Sequence, residues 1–203
     1  MAQERPSYLG LLNGIAVAEC RAHAYLTAWA DTTTDDQLRA TLRTVAAREG
    51  EHGMSFAKRI DELGFEMQEV DDRAFKEQLA VAGSDLSDLD KAERLGVRAQ
   101  LEGDPLRFFD DVFKDHSIDI GTGELLGRYI AEEHDTIRRL RACYQALVAR
   151  CEAAAAAAPA NSGTAAPANS GTAALEAKVD ALCCAVEELR QIVCAPAMAT
   201  SAS

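Results

Sequence analysis

A carboxylate and an imidazole stand where the second predicted helix should bury apolar side chains. In the stretch AAREGEHGMSF, residues 46–56, Glu49 is followed one turn later by His52. On a helix that advances 100° per residue, Glu49 falls at the centre of a stripe of leucine, valine, isoleucine and phenylalanine. A single buried carboxylate costs several kcal/mol unless something compensates it, so this pair of residues needs an explanation.

Two further acids occupy the same kind of position on two other helical stripes. Glu19 lies in the middle of the apolar face of the first predicted helix, and His23 falls on that face too. Glu133 is central on the apolar face of the last long helix, whereas Glu132 lies on its flank. The three central acids are at similar distances from the predicted hairpin turns, so a helical bundle can bring them into one layer.

Converging carboxylates and an imidazole predict a metal site. A divalent metal compensates their burial, and carboxylate oxygen with histidine nitrogen suits iron, manganese or zinc. The alternative is a buried polar network without metal, which would include Arg48 or Tyr129. The candidate ligands in the sequence are Glu19, Glu49, His52, Glu133, Glu102 and His23.

The elements that position these residues are predicted to be helices. Helical periodicity is strong over the first 150 residues and strand signals are scarce, which predicts an all-α fold. A T-x-x-Q capping box starts the second helix at Thr34, and Gly64 is a left-handed cap after it. A polar connection follows over residues 65–84, and Gly103-Asp104-Pro105 interrupts the third helix. The predicted helices span residues 7–30, 34–63, 86–116 and 120–151.

The C-terminal part of the chain differs in character. Residues 157–172 repeat AAPANSGT twice, which is typical of a flexible linker. Beyond it, leucine and valine alternate at spacings of 4 and 3, which predicts a heptad helix. That helix would either pair two chains in a homo-oligomer or dock on its own bundle. The predicted domains are a bundle over 1–152, a linker over 153–174, a heptad helix over 175–194 and a disordered tail over 195–203.

Charge and cysteine usage narrow the partners. The net charge is −12, and such a surface repels phosphate backbones, so no nucleic-acid partner is expected. No signal peptide or apolar membrane span stands out, so no membrane partner is expected either. Six cysteines occur without a CxxC pair, which fits reduced thiols in a cytoplasmic protein.

These residues together resemble the ferritin-like superfamily, and in style the rubrerythrin-type bundles, over about residues 7–151. The resemblance rests on Glu19, on Glu49-x-x-His52 and on Glu133 within GRYIAEEHDTIRRLR. It implies an up-down-down-up four-helix bundle with a long crossover between the second and third helices. It also implies a carboxylate-bridged di-iron or di-manganese site that acts on oxygen, peroxide or ferrous iron.

The chain departs from the family pattern in its second half. A second Glu-x-x-His is missing, because Thr136 stands three residues after Glu133, and no rubredoxin domain is present. The expected cofactor is therefore iron or manganese, as one ion or two, in a protein that could be a non-haem oxidoreductase. The alternative is a ferritin-like scaffold without catalysis that associates through its C-terminal helix.

Overall fold

Every regular element of the described chain is a helix, which confirms the prediction of an all-α protein. The structure, a computed structural model, describes residues 5–69, 72–102 and 106–157, without the side chains of residues 99, 100, 102, 108, 155 and 157. The helices are α1 (Leu9–Thr32), α2 (Asp36–Glu62), α3 (Arg73–Ala82), α4 (Asp88–Arg94), α5 (Val97–Glu102), a 3-10 helix (Arg107–Lys114) and α6 (Ile120–Ala157).

A short turn folds α1 and α2 against each other. The side chain of Asp35 accepts hydrogen bonds from the backbone N–H groups of Gln37 and Leu38, so Asp35 caps α2. The prediction of a capping box on Thr34 is wrong by one residue, because Asp35 presents a charged acceptor closer to the free N–H groups. Gly64 ends the helix at φ 79°, as its left-handed cap predicted.

The two helices run antiparallel and come very close together. His23 lies against Gly50, whereas Cys20, one turn earlier on α1, lies against Gly53, one turn later on α2. A Cβ atom on Gly53 would lie 2.7 Å from Cys20 Sγ and 3.1 Å from the Cys20 backbone nitrogen. Because Gly53 has no side chain, α1 and α2 approach closely, and this approach sets the distance between acidic residues on the two helices.

Helix α6 runs parallel to α1 and antiparallel to α2. Tyr8 at the start of α1 hydrogen-bonds Asp119 at the start of α6, and Tyr129 reaches Glu19 further along both helices. Helix α6 continues to Ala157, beyond residue 152 where the bundle was predicted to end. The run of alanines after Glu152 explains the extension, since alanine has the highest helix propensity.

Short helices form the remaining side, where the sequence predicted one connection and one long helix. Helix α3 lies within the predicted connection, and Asp72 caps it. Helices α4 and α5 and the 3-10 helix replace the predicted helix over 86–116, and Gly96 separates α4 from α5 at φ 70°. This stretch runs antiparallel to α6, because Glu93 meets Tyr144 while Leu101 meets Arg141. The predicted break at 103–105 lies outside the described residues.

The core has two apolar halves. One half contains Leu26, Trp29, Leu42 and Val45 and is closed by α4 and α5. The other contains Leu12 and Phe56 and is closed by the 3-10 helix, and most of the predicted apolar stripes are buried in one half or the other. No helix among the described residues is long and apolar enough to cross a membrane. The heptad helix and the tail lie outside the described residues, as does the predicted linker after Ala157.

Gly53 and Gly127 test the close approach of α1 and α2. Alanine gains about 1 kcal/mol over glycine inside a helix at either position. A Cβ on Gly127 meets nothing within 4 Å, whereas one on Gly53 is too near Cys20 and overpacks the interface at a cost of about 1–3 kcal/mol. We therefore expect Gly127→Ala to raise the free energy of unfolding and Gly53→Ala to lower it, measured by urea denaturation. Equal effects of the two substitutions would contradict the close approach.

Asp119 is expected to hold the start of α6 in place. Its carboxylate accepts hydrogen bonds from the Thr122 backbone and hydroxyl, from Tyr8 and from Arg59. Burial alone would raise the pKa of Asp119, but these hydrogen bonds hold it below its usual range. We expect Asp119→Ala to lower the free energy of unfolding at pH 7 by about 0.5–2 kcal/mol, the usual loss for an N-cap.

The pH dependence gives the sign of this contribution. A carboxyl group with a depressed folded-state pKa stabilises the fold above its unfolded pKa of about 3.9, and the stabilisation is lost as the pH falls through the folded value. The difference between wild type and Asp119→Ala should therefore shrink in acid. Asp111→Ala is the matched control, because Asp111 is exposed and, among the described residues, forms its ion pair with the exposed Lys114. A difference that persists undiminished at pH 2 would reject the assignment.

Candidate metal centre

Four of the six candidate ligands meet between α1, α2 and α6. Glu19 comes from α1, Glu49 and His52 from α2, and Glu133 from α6, and one donor atom of each lies within 4.8 Å of those of the others. Glu19, Glu49 and His52 are 7%, 3% and 1% exposed, and the Glu133 side chain is 13% exposed. The prediction from three helical stripes that these residues share one layer is confirmed.

The cluster divides the two apolar halves of the core. On α1, Glu19 lies between Ala16 of one half and Leu26 of the other. On α2, Glu49 and His52 lie between Val45 and Phe56 in the same way. Apolar packing on both sides thus removes the polar groups from water, which strengthens every electrostatic interaction among them.

Three buried polar atoms of the cluster have no hydrogen-bond partner, and they face one another. They are Glu49 Oε2, His52 Nδ1 and Glu133 Oε1. His52 Nδ1 lies 3.4 Å from each of the two carboxylate oxygens. Buried polar atoms are nearly always satisfied in folded proteins, so three orphans at one point mark a place for a further group. Two carboxylate oxygens and one imidazole nitrogen fit a metal ion at that point.

Tyr129 holds the fourth member of the cluster. Its buried hydroxyl donates a 2.7 Å hydrogen bond to Glu19 Oε1. Its ring packs edge-on against His52 at 5.0 Å and against Phe56 at 5.2 Å, and Phe109 covers it from the 3-10 helix at 5.7 Å. One aromatic side chain thus joins the carboxylate of α1, the imidazole of α2 and the second apolar half of the core.

Thr136 and Arg48 hold Glu49 from the other side. Thr136 is 4% exposed, and its hydroxyl lies 3.4 Å from Glu49 Oε1 as a donor. Arg48 donates to the same hydroxyl at 3.1 Å and pairs with Asp135 at 3.0 Å. A guanidinium on α2 is therefore connected to Glu49 through a side chain of α6. Its charge offsets part of the negative charge of the three central acids.

The side chain of Glu132 reaches the cluster from its outer edge. His52 Nε2 lies 2.7 Å from Glu132 Oε2. This carboxylate is 37% exposed and also lies 3.7 Å from Arg128, which pairs with Glu51 on the surface of α2. Of the described acids around His52, Glu132 is therefore the most exposed to solvent.

Burial and mutual repulsion determine which groups carry protons in the metal-free cluster. Burial, followed by the charge of Glu49, raises the pKa of Glu19 to about 10. Burial alone would lower the pKa of His52, but the carboxylates of Glu133, Glu49 and Glu132 raise it to about 10. Burial also raises the pKa of Glu133. Burial alone would raise the pKa of Glu49 as well, but the imidazole of His52 at 3.4 Å outweighs burial and lowers it. A neutral Glu19 and a cationic His52 keep the net charge of the cluster small.

The remaining two candidates do not join the cluster. His23 is exposed, and its Nδ1 lies 2.6 Å from the Ala46 carbonyl oxygen, so the structure does not bring it to the other candidate ligands. Its ring lies beside Gly50, where the absence of a side chain leaves room for it at the exposed edge of the interface between α1 and α2. The side chain of Glu102 lies outside the described residues.

Comparison with known proteins returns no match to a family model, a curated protein or a solved structure. What the cluster can do therefore has to follow from its own donor atoms and their surroundings. These are three carboxylates and one imidazole in an apolar core, with a tyrosine, a threonine and a fourth acid in contact with them.

The hydroxyl of Tyr129 is expected to stabilise the cluster. Tyr129→Phe leaves Glu19 Oε1 buried without its donor, and a buried polar atom without a partner costs about 1–3 kcal/mol. Tyr144→Phe is the matched control, because that hydroxyl bonds Glu93 at an exposed position. We expect Tyr129→Phe to lower the free energy of unfolding of the metal-free protein more than the control does. Equal losses of unfolding free energy in the two variants, measured by denaturant melts, would show that the buried hydrogen bond to Glu19 contributes no more than the exposed one.

Proposed function

We propose that this chain is a ferritin-like metalloprotein that binds one iron or manganese ion through Glu19, Glu49, His52 and Glu133. The observation that carries the proposal is the set of three buried, unpartnered donor atoms that face one point between α2 and α6. A metal ion there would give each of these atoms a partner. It would also replace protons as the charge that compensates the buried carboxylates.

The donor set favours iron or manganese over softer metals. Three carboxylates and one imidazole are hard or borderline ligands, and the described cluster contains no thiolate. Cys20 follows Glu19 on α1, but it is exposed and is not part of the cluster. Partial desolvation of its thiol, followed by the charges of Glu69 and Glu19, raises the pKa of Cys20, so it is a poor metal ligand where it stands.

One ion fits the geometry better than two. The second oxygens of Glu19 and Glu49 are already engaged by Tyr129 and Thr136. Among the described side chains, no acid or histidine from the short helices on the fourth side belongs to the cluster. The free donor atoms therefore converge on a single position.

The directions of the helices support the ferritin-like bundle. Helix α2 runs antiparallel to α1, and α6 runs parallel to α1. The short helices between α2 and α6 run antiparallel to α6. The order is therefore up, down, down, up if those short helices are counted as one broken helix. In such bundles, side chains on facing helices build metal sites in the core.

Iron or manganese would supply one-electron chemistry towards oxygen, peroxide or a second metal ion. The residues of the chain would hold the ion and exclude bulk water, and the hydroxyl of Tyr129 would keep the Glu19 carboxylate in position. Only Glu132 and the edge of Glu133 face solvent, so small reactants would approach from the α6 side. The proposed reaction class is accordingly non-haem redox chemistry on a small inorganic substrate.

The alternative, a scaffold that works by association, rests on the predicted heptad helix over 175–194, which lies outside the described residues. The metal-free cluster would then be only a buried polar network. The two functions differ in one measurable property, the content of bound metal.

Glu49→Leu tests the metal site against the polar network. We expect wild type to hold one ion per chain after anaerobic reconstitution with ferrous iron or manganese, and Glu49→Leu to hold none. The metal-free variant should be as stable as wild type or more so, because leucine has a similar volume and needs no charge compensation. His52 keeps Glu132 and Glu133 as partners in the variant. The measurements are elemental analysis of the protein and urea denaturation without metal.

Glu51→Leu provides the control for this test. Glu51 is two residues from Glu49 on the same helix, but it is exposed and its ion pair within the described part of the chain is with Arg128. The Glu51→Leu variant should bind metal as wild type does. This result would exclude a general effect of losing one acidic charge. Stoichiometric metal retained in Glu49→Leu would reject the site, and wild type without metal would favour the scaffold.

A further inference from the structure

Among the described residues, Glu132 is the acid that contacts the outer nitrogen of His52. Its Oε2 lies 2.7 Å from His52 Nε2, while the inner Nδ1 faces the unpartnered oxygens of Glu49 and Glu133. The sequence gives this acid no obvious role, because it is on the flank of the apolar stripe of α6. It is also not one of the four residues whose donor atoms converge.

The 2.7 Å contact decides the form of the imidazole that a metal would meet. A carboxylate only accepts hydrogen bonds, so the proton of this contact must be on His52 Nε2. Because this contact holds the Nε2 proton, a metal ion would displace the proton of the other nitrogen and use the lone pair that is left there. That nitrogen is Nδ1, which lies between the two unpartnered carboxylate oxygens of Glu49 and Glu133. The His52 side chain that carries it is 1% exposed.

We propose that Glu132 is a positioning residue for the metal site, which fixes His52 in the tautomer that binds the ion through Nδ1. This inference rests on the proposed function, since it concerns the same site. Glu132 comes from α6 and His52 from α2, so the contact also fixes the orientation of the ring relative to Glu133, the neighbour of Glu132 in sequence. Arg128, four residues before Glu132, lies 3.7 Å from the same carboxylate oxygen.

The effect on affinity should be large enough to measure. Outer partners of metal-binding histidines typically contribute 10–100-fold to metal affinity, because they orient the ring and increase its basicity. Glu132→Leu removes both contributions. Glu132→Gln keeps an oxygen that can accept the Nε2 proton but loses the charge. The order of affinity should therefore be wild type, then Glu132→Gln, then Glu132→Leu.

The experiment uses the full-length chain and zinc as a diamagnetic, redox-inert probe. Zinc affinity is measured by competition with a chromophoric chelator for wild type, both variants of Glu132 and Glu51→Gln. Glu51 is the control because it shares Arg128 with Glu132 but does not touch His52. Ring nitrogen NMR of the zinc-loaded proteins, with His52 assigned through His52→Gln, shows which nitrogen binds metal and which carries hydrogen.

The expected result is Nδ1 bound to zinc and Nε2 protonated in wild type, with affinity lowered about 10–100-fold in Glu132→Leu and unchanged in Glu51→Gln. Faster exchange of the Nε2 proton in Glu132→Leu would identify orientation, and not folding, as the cause. Zinc on Nε2 in wild type, or wild-type affinity in Glu132→Leu, would overturn the role of Glu132 while leaving the metal site intact. A wild-type chain that binds no zinc, iron or manganese would overturn the proposed function, and this inference with it.

Discussion

Three carboxylates surround one imidazole in the middle of an apolar core, and the rest of the structure has to accommodate that arrangement. Each uncompensated buried charge costs several kcal/mol, whereas a domain of this size is stable by only about 5–15 kcal/mol in total. Three such charges could not be tolerated together. The metal-free cluster therefore has to keep protons on Glu19 and His52, and a metal ion can take over the compensation.

The surroundings of the cluster keep its side chains ordered in the metal-free protein. Apolar layers on either side exclude water, and Tyr129 and Thr136 each occupy one carboxylate oxygen of Glu19 and Glu49. The oxygens that remain free are thereby aimed at a single point. Such pre-organisation reduces the cost of ordering ligands on binding, and it is a reason for a protein to retain an otherwise unfavourable arrangement.

The sequence predicted the centre of the site well because helical periodicity is a strong signal. An acid at the middle of each apolar stripe had to point into the core, and Glu19, Glu49 and Glu133 do so. Glu132 is displaced by 100° on its helix, so periodicity assigns it to the flank. It contacts His52 because α2 and α6 pack against each other in an antiparallel arrangement. The periodicity of α6 alone does not contain this tertiary contact.

The parts of the fold that sequence could not predict are those where local and tertiary preferences compete. A charged acceptor at Asp35 caps α2 in place of Thr34, a choice between neighbours that propensity alone does not resolve. The fourth side is divided into short helices at Gly96, where the predicted periodicity continued without interruption. His23 shares a face with Glu19 on an ideal helix, yet the gap at Gly50 lets its ring turn to the Ala46 carbonyl instead.

Thr136 explains why the second half of the site differs from the first. In the family that the chain resembles, the position three residues after Glu133 would carry a histidine, and here Thr136 carries a hydroxyl bonded to Glu49 and Arg48. The guanidinium of Arg48 thus lies next to the hydroxyl that stands in the place of that histidine. Because Arg48 is paired with Asp135 and reaches Glu49 only through Thr136, its positive charge lessens the repulsion among the buried carboxylates without occupying an oxygen of the cluster.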